Sequence, residues 1–361
     1  MNTKNLIFQW VKREMVFKRP SGTSRGVLNT KPSYFIKIFE EGNPSVFGLG
    51  ECSLIKGLSI DPFDKMEVVL NQFKTNFSEN HNKINTDFNA FPSIQFGIEM
   101  ALLDLKSGGT RTIFPNNFSK VKNSIDINGL VWMGDFEFMN QQIQEKLETG
   151  FKCIKLKIGA IDFDAELKLI AKIRKEYAAN EVVIRVDANG AFAPDKALEK
   201  LKRLSEYDLH SIEQPIRQKQ WEDMAELCAK TPLPIALDEE LIGYHNRDER
   251  KEMLDQIKPQ YIILKPSLVG GFKSSEEWIA LAEEREIGFW ITSALEANIG
   301  LNAIAQWTFK LVEENEKRQM YQGLGTGKLF NNNIESPLEI VNGQLQYLAE
   351  QSWNLNELRF E

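Results

Sequence analysis

The sequence predicts an α/β protein, a modified TIM barrel of (β/α)7β type with an α+β capping domain. From about residue 124 onward, short apolar runs alternate with amphipathic segments of helical periodicity, which is typical of βαβ units and a parallel sheet. Eight such runs within roughly 200 residues favour a closed barrel over an open sheet. The 361 residues also exceed the ordinary size of one domain, so a second unit is expected.

The predicted barrel strands follow one another at regular intervals. They are Ser124–Val131, Cys153–Ile158, Val182–Val186, Leu209–Ile212, Pro234–Leu237, Tyr261–Leu264, Gly288–Thr292 and Met320–Gly323. A helix is predicted between each strand and the next; in the segment 164–177, for example, the apolar residues fall on one helical stripe. We therefore assign residues 124–323 to the barrel.

The first 123 residues have a different pattern and are assigned to the capping domain. Strands are predicted at Leu6–Phe17 and Ser33–Phe39, joined by a Gly/Ser/Thr-rich loop at Arg19–Lys31. Apolar residues at three- and four-residue steps predict a helix over Pro92–Leu105. The C-terminal segment, residues 324–361, is expected to pack back on the capping domain.

Composition and charge exclude several classes of protein. The chain carries 44 basic and 51 acidic residues, a net charge of −7 without a basic block, so no nucleic acid partner is expected. No stretch reaches the ~20 apolar residues of a membrane span, and the first 20 residues lack the apolar core of a signal peptide. We expect a cytoplasmic protein that does not bind membranes. Three histidines are too few for a multi-histidine metal site.

Polar side chains stand at the ends of the predicted barrel strands. They are Lys155, Lys157, Asp187, Glu213, Asp238, Lys265, Ser293 and Glu296. Those on five consecutive strands lie about 25 to 30 residues apart, the length of one βα unit. Because the carboxyl ends of barrel strands meet on one face, these residues are expected to be neighbours in space.

Three carboxylates on consecutive strands predict a metal site. Asp187, Glu213 and Asp238 would raise one another's pKa if they were held together without cations. All-oxygen ligands with room for water suit Mg²⁺, and Mn²⁺ is a possible substitute.

Lysines flank these carboxylates on both sides. Lys155 and Lys157 share one face of a strand, and Lys265 lies roughly across the barrel mouth. A lysine acts as a base near neutral pH only if its pKa is lowered, which a second ammonium and a divalent cation would do. This combination suits abstraction of a proton α to a carboxylate. Protonation on the other face would give a racemase or epimerase, and loss of a β-leaving group would give a lyase.

Three further residues carry weaker expectations. Arg185 shares the inward face of Asp187 and should have a carboxylate partner there. Strand alternation predicts that Glu239 points away from the barrel axis. His210 is expected to be a packed core histidine rather than a catalyst.

Several motifs together resemble the enolase superfamily, in its muconate-lactonizing-enzyme-like subgroup. The motifs are Lys155-Leu156-Lys157, Val186-Asp187-Ala188-Asn189-Gly190, Ile212-Glu213-Gln214-Pro215, Leu237-Asp238-Glu239 and Leu264-Lys265-Pro266. Two motifs of the first domain, Gly48-Leu49-Gly50-Glu51 and the segment 97–105, match the capping domain of that superfamily. Further segments, at residues 23–26, 293–296 and 323–327, resemble the members that form o-succinylbenzoate.

The resemblance implies a Mg²⁺-dependent syn dehydration of 2-succinyl-6-hydroxy-2,4-cyclohexadiene-1-carboxylate (SHCHC) to o-succinylbenzoate, a step of menaquinone synthesis. Lys157 would take the α-proton and then protonate the departing hydroxyl, and Lys265 would stabilise the enediolate from the other face. Asp187, Glu213 and Asp238 carry over as the metal ligands. The substrate contacts implied are Lys155, Asn189, Ser293, Gly325, Ser24 and Arg25.

Related activities share this machinery. N-acylamino acid racemases and dipeptide epimerases of the subgroup also place lysines on both faces. The epimerases usually carry an Asp-x-Asp pair near the last strand, and residues 320–329 contain none. Mandelate-racemase-like chemistry needs a histidine near the seventh strand end, and residues 288–300 contain none. A catalytically inactive barrel that acts as a binding module is the non-enzymatic alternative.

Overall fold

The first structural layer is a three-stranded antiparallel sheet. In the computed structural model, which describes residues 5–23, 26–77, 88–121, 123–348 and 350–360, its strands are β1 (Leu6–Thr23), β2 (Gly26–Glu40) and β3 (Phe47–Ser53). The helices α1 (Met66–Asn76) and α2 (Pro92–Lys106) accompany it. Buried residues of the sheet and both helices share one apolar cluster, while other residues of the sheet and of α2, such as Phe35 and Phe96, belong to the cluster of the barrel.

The predicted loop at Arg19–Lys31 is wrong, because β1 and β2 continue through most of it. After an irregularity between Val16 and Ser21, pairing resumes with Ser21 opposite Leu28 and Gly22 opposite Val27. Glycine and serine clusters predict a loop when no partner strand is considered, but here each strand supplies the other's hydrogen-bond partners. The extended hairpin also contacts the C-terminal segment, where Lys18 N donates to Leu329 O over 2.8 Å.

The second layer is a parallel barrel. After the short strand β4 (Ile125–Asp126), seven parallel strands follow, in the sheet order of their sequence. They are β5 (Gly129–Val131), β6 (Cys153–Lys157), β7 (Val183–Asp187), β8 (Ser211–Glu213), β9 (Ile235–Leu237), β10 (Tyr261–Leu264) and β11 (Gly288–Ile291). Their buried, apolar stretches are typical of parallel strands covered on both sides.

Helical connections join successive barrel strands. They are α3 (Phe136–Glu148), α4 (Phe163–Glu176), α5 (Pro194–Ser205), α6 (Trp221–Lys230), α7 (Arg247–Ile257), α8 (Pro266–Val269) with α9 (Gly271–Glu283), and α10 (Asn298–Glu314). A short eighth segment closes the barrel, since Gln322 bridges Ile127 and Gly323 bridges Thr292, both in parallel. Gly323 N donates to Ile291 O over 2.7 Å. The predicted (β/α)7β architecture is confirmed.

The C-terminal segment contacts both layers. Its hairpin, β12 (Leu338–Val341) and β13 (Gln344–Tyr347), pairs with β4. Upstream of it, Asn331 N donates to Val16 O over 2.8 Å, and the rings of Phe330 and Phe17 lie 4.8 Å apart. The boundaries at residues 123 and 323 stay predictions. Within the described ranges, no helix has the length and apolar character needed to cross a membrane.

Candidate active site

The strand register places the charged side chains side by side. Lys157 at the end of β6 is opposite Asp187 at the end of β7, which in turn is opposite Glu213 at the end of β8. Asp238 and Lys265 directly follow β9 and β10. All five side chains are buried, with exposed fractions of 0 to 9%. The sequence spacing of one βα unit therefore brings the predicted residues to one end of the barrel.

Two lysines of β6 form ion pairs with the carboxylates of Asp187 and Glu213. Lys157 Nζ lies 2.9 Å from Asp187 Oδ2 and donates to Asn189 Oδ1 over 2.7 Å. Lys155 Nζ lies 3.0 Å from the same Asp187 oxygen and also donates to Glu213 Oε2. Lys155 thus bridges two carboxylates of neighbouring strands.

Lys265 completes the row from the other side. Its Nζ donates to Asp238 Oδ2 and lies 4.0 Å from Glu213 Oε1. Three ammonium groups (Lys155, Lys157 and Lys265) and three carboxylates (Asp187, Glu213 and Asp238) therefore alternate across the barrel mouth. We call these six side chains the charged row. Burial of this many charges is tolerated only because each has an opposite neighbour.

The pKa values follow from this alternation. Burial opposes ionisation of Asp187, but the charges of Lys155 and Lys157 outweigh it and hold its pKa well below the ordinary value. Burial, together with the charges of Asp187 and Asp238, raises the pKa of Glu213 well above its ordinary value. Glu213 is thus the carboxyl group most crowded by others of its kind.

The lysine at the far side stays charged. Burial alone would lower the pKa of Lys265, but Asp238 and Glu213 outweigh burial and raise it. The pKa of Lys155 is raised for the same reason, by Asp187 and Glu213 against burial. A raised pKa suits a group whose role is to remain a cation.

The three carboxyl groups fit a divalent cation by their chemistry. As the side chains lie, no three carboxylate, imidazole or thiol groups of the described residues surround a common point closely enough to hold a metal ion, because the carboxylates turn to the lysines. Yet Asp187, Glu213 and Asp238 are hard oxygen donors, buried on consecutive strands, and burial together with the charges of the other two carboxylates raises the pKa of Glu213. A divalent cation would relieve the repulsion between these carboxylates.

Comparisons with known proteins identify the family of the chain. The family model described as "Enolase C-terminal domain-like" matches residues 139–350. The chain is 49% identical to o-succinylbenzoate synthase of Desulfotalea psychrophila (strain LSv54 / DSM 12343), over 92% of this chain and 97% of that protein. The crystal structure of MenC from Desulfotalea psychrophila LSv54 superimposes with a TM-score of 0.82 at 44% identity, covering 95% of this chain and 99% of that one.

This chain belongs to the o-succinylbenzoate synthase family of the enolase superfamily. Its fold is shared more widely. A dipeptide epimerase from Cytophaga hutchinsonii, crystallised with Mg and the dipeptide D-Ala-L-Val, superimposes with a TM-score of 0.80 over 99% of both chains at only 19% identity. The barrel and its cap are therefore common to synthases and epimerases, and specificity depends on the residues of the site.

The loop after β7 adds an amide to the site. Asn189 accepts from Lys157, donates to Glu239 Oε1 over 3.0 Å, and has a positive φ of 45°. Asparagine adopts this left-handed conformation more readily than most residues other than glycine. Asn189 thus lies beside Lys157, and its role as a substrate contact stays a prediction.

The expectation that Glu239 points away from the axis is wrong. Strand β9 ends at Leu237, and residues 239–241 form a 3₁₀ turn, so strand alternation does not extend to Glu239. Its carboxylate is buried and reaches Asn189. Glu239 thus belongs to the polar surroundings of the site.

Two predicted substrate contacts of the o-succinylbenzoate synthase family lie in adjoining segments. The hydroxyl of Ser293 is 2.8 Å from the hydroxyl of Thr326, and the main-chain N–H of Ser293 donates to Gly323 O over 3.1 Å. Gly325 begins the 3₁₀ turn that contains Thr326. Thr326 lies in the segment 323–327 that resembles the family, although it is not among the predicted substrate contacts. Ser24 and Arg25 lie outside the described residues.

The interior below the charged row is apolar and aromatic. The Arg185 guanidinium lies 4.0 Å from the Trp290 ring and donates to Tyr321 O over 2.7 Å. The expected carboxylate partner is not found among the described residues, because a carbonyl and an aromatic face take its place. His210 packs beside Tyr261 and Trp290, as expected of a core histidine.

Proposed function

We propose that this chain dehydrates SHCHC to o-succinylbenzoate, with Lys157 as acid and base and Lys265 as the opposing cation. The observation that supports this proposal most strongly is the position of these two lysines. β6 and β10 are the second and sixth strands of an eight-stranded barrel, so the two side chains face one another across its mouth. Family membership at 49% identity supports this reaction over others that use the same fold.

Lys157 is proposed to move the proton. As a neutral amine, Nζ takes the proton α to the ring carboxylate, and as an ammonium it returns that proton to the hydroxyl on the neighbouring carbon. The C–O bond breaks, water leaves from the same face, and the ring becomes aromatic. One proton goes in and out, so the amine is restored. Asp187 and Asn189 hold Nζ at the barrel mouth during both steps.

Lys265 and Lys155 are proposed to stabilise charge. Negative charge develops on the substrate carboxylate when the α-proton leaves, and a fixed ammonium in a buried site stabilises it more than water would. Lys265 holds its proton because Asp238 is adjacent. Lys155 lies between two carboxylates and is proposed to contact the substrate carboxylate from below.

Asp187, Glu213 and Asp238 are proposed to hold Mg²⁺, for which Mn²⁺ could substitute. When bound, the cation supplies positive charge to the substrate carboxylate and so lowers the pKa of the α-proton. Ser293 and the backbone near Gly325 are proposed to contact the succinyl part of the substrate. Ser24 and Arg25 are proposed to close over it.

A panel of substrates tests this proposal. Purified protein with Mg²⁺ is given SHCHC, an N-succinylamino acid and an L-Ala-L-Glu dipeptide. Absorbance of the aromatic product follows dehydration, and loss of the α-proton signal in D₂O by NMR follows racemisation or epimerisation. We expect dehydration to have by far the highest kcat/KM. A higher value for either amino acid substrate would contradict the proposal in favour of a racemase or epimerase, and no reaction at all would favour a binding module.

A further inference from the structure

Beneath the segment that follows β11 lies a second buried cluster of charges, formed mainly by the sheet. Lys31 on β2 and Glu51 on β3 are 2% and 0% exposed, and Glu296 of the segment itself is 0% exposed. None of these residues has a place in the proposed reaction. Burial of three ionisable groups outside the charged row requires its own explanation.

The cluster connects the sheet to the barrel through hydroxyl groups. Lys31 Nζ donates to Ser33 and Ser53, over 2.8 Å each. Ser33 Oγ donates to Glu51 Oε1 over 3.0 Å, and Ser53 Oγ donates to the carbonyl of Ala294 over 2.9 Å. The ammonium of Lys31 thus orients two hydroxyls, one of which reaches the segment after β11.

Glu51 supplies the cap that α10 lacks. Ala297, at the start of this helix, has no capping side chain. Instead the carboxylate of Glu51 accepts from Ala297 N over 2.8 Å and from Gly300 N over 2.9 Å. A Cβ on Gly300 would lie 3.1 Å from Glu51 Oε2 and 2.7 Å from Glu296 Cγ, so glycine gives these groups the room they need.

The segment after β11 that the sheet contacts has a strained backbone. Leu295 has a φ of 58°, a left-handed conformation that a bulky residue adopts only when its surroundings enforce it. The sheet holds the residue before it, Ala294, and the second residue after it, Ala297. Ser293 stands immediately before this strained turn.

Glu296 connects the same cluster to the segment after β10. Ser267, two residues beyond Lys265, donates to Glu296 Oε1. The other oxygen, Oε2, has no hydrogen-bond partner among the described residues. Burial, with the nearby charge of Glu51, raises the pKa of Glu296 to about 7. An oxygen without a donor suits a carboxyl group that retains its proton.

We propose that Lys31, Glu51 and Glu296 are positioning residues, which fix the segments carrying Lys265 and Ser293 against the sheet while Glu296 is protonated. Charged and titratable groups around Glu296 are Glu51 from β3 and Lys31 from β2, on which Glu14 of β1 acts in turn. When Glu296 ionises, its carboxylate and that of Glu51 repel each other in a buried space and share the ammonium of Lys31 as counter-charge. The contacts that fix the two segments against the sheet then weaken. This inference rests on the proposed function, because it assigns the cluster to that active site.

Glu296→Gln tests the proposal, since it keeps the shape and cannot ionise. Above pH 7 we expect wild-type kcat to fall by roughly five-fold or more and that of E296Q by less than about two-fold. Glu99→Gln is the matched control. Glu99 is a half-buried carboxylate of α2 that caps α9, accepting from Phe272 N over 2.6 Å. E99Q should lower Tm and retain the alkaline fall in kcat.

A second readout does not need turnover. The raised pKa means that the folded state keeps a proton which the unfolded chain loses, so stability is lost as pH rises from about 4.5 to about 7. Tm of the wild type should fall over this range relative to E296Q. If SHCHC is not a substrate, the proposed function fails, and the kcat profile is measured on α-proton exchange of an N-succinylamino acid. An alkaline fall that persists in E296Q, or parallel Tm profiles, would overturn the inference.

Discussion

Single residues at the barrel mouth fall into two groups: those that supply a charge and those that orient a charged side chain. Lys155 and Lys265 each lie between carboxylates and keep a raised pKa. Lys157 has one carboxylate contact and one amide contact. The neutral amide of Asn189 orients Nζ without adding a second carboxylate contact. This difference in partners is the physical reason for assigning proton transfer to Lys157.

Replacement of the proposed base should remove activity and leave the fold intact. For Lys157→Ala we expect kcat for SHCHC dehydration to fall by about 10³-fold or more, because general acid–base catalysis is lost in both proton transfers. Circular dichroism and Tm should show a folded protein. Lys172→Ala, which removes an exposed lysine of α4, is the control and should keep wild-type kcat. Activity of Lys157→Ala within ten-fold of wild type would refute the assignment.

The half-buried histidine His210 should make the protein sensitive to acid. Burial, and the nearby charge of Arg185, lower the pKa of His210 to about 4. Between pH 6.5 and 4 the unfolded chain binds a proton there and the folded protein does not, so stability falls as pH falls. From pH 7.5 to 5, His210→Gln should lose about 2 kcal/mol less unfolding free energy than wild type. Urea titrations at both pH values measure this, with the exposed His245→Gln as control. Equal losses would contradict the burial of a neutral imidazole.

At the scale of elements, the close contact of α2 with β3 explains the Gly-Leu-Gly-Glu motif. A Cβ on Gly48 would lie 1.8 Å from Ala101 O, and one on Gly50 would lie 1.8 Å from Gly97 O. Because neither glycine has a side chain, the backbone of α2 can lie directly against β3. The same packing brings Glu51, the last residue of the motif, to the start of α10. The motif thus joins the sheet both to its own helix and to the barrel.

Substitution within this motif should destabilise the fold strongly. Gly50→Ala forces α2 away from the sheet, and we expect a loss of about 3 kcal/mol or more in unfolding free energy. Gly325→Ala is the control for stability, because its methyl group would meet nothing closer than 3.6 Å. Denaturant unfolding monitored by tryptophan fluorescence compares the two. A Gly50→Ala protein as stable as Gly325→Ala would mean that the helix does not lie this close to β3.

The barrel strands could be predicted because their signal is local. Apolar runs such as Tyr261–Leu264 coincide with an observed strand, and a polar residue marks where each strand ends. The outer part of the hairpin formed by β1 and β2 could not, because its glycine- and serine-rich residues are typical of a loop and form strands only by pairing with each other. The charged row was predicted from its regular spacing. The cluster of Lys31, Glu51 and Glu296 was missed because its members lie on separate layers and share no period.

At the scale of the molecule, the sheet covers the end of the barrel where the charged residues lie. Contacts from the sheet and its hairpin reach the segments after β5 and β11; for instance, a Cβ on Gly22 would lie 2.5 Å from Met133 O, and Ser53 donates to Ala294 O. The active site is therefore built by two layers, of which the barrel supplies charge and the cap holds the loops. Removal of bound cation should abolish activity without unfolding this assembly.

The initial rate of o-succinylbenzoate formation from SHCHC tests the central claim most directly. The purified protein is assayed as prepared, after treatment with EDTA, and after Mg²⁺ is restored, with product absorbance as the readout. We expect turnover with Mg²⁺, loss of turnover with EDTA and recovery on addition of Mg²⁺, while Tm shows that the protein stays folded throughout. No product in the presence of Mg²⁺ would contradict the proposed dehydration, and an undiminished rate after EDTA would contradict the metal site of Asp187, Glu213 and Asp238.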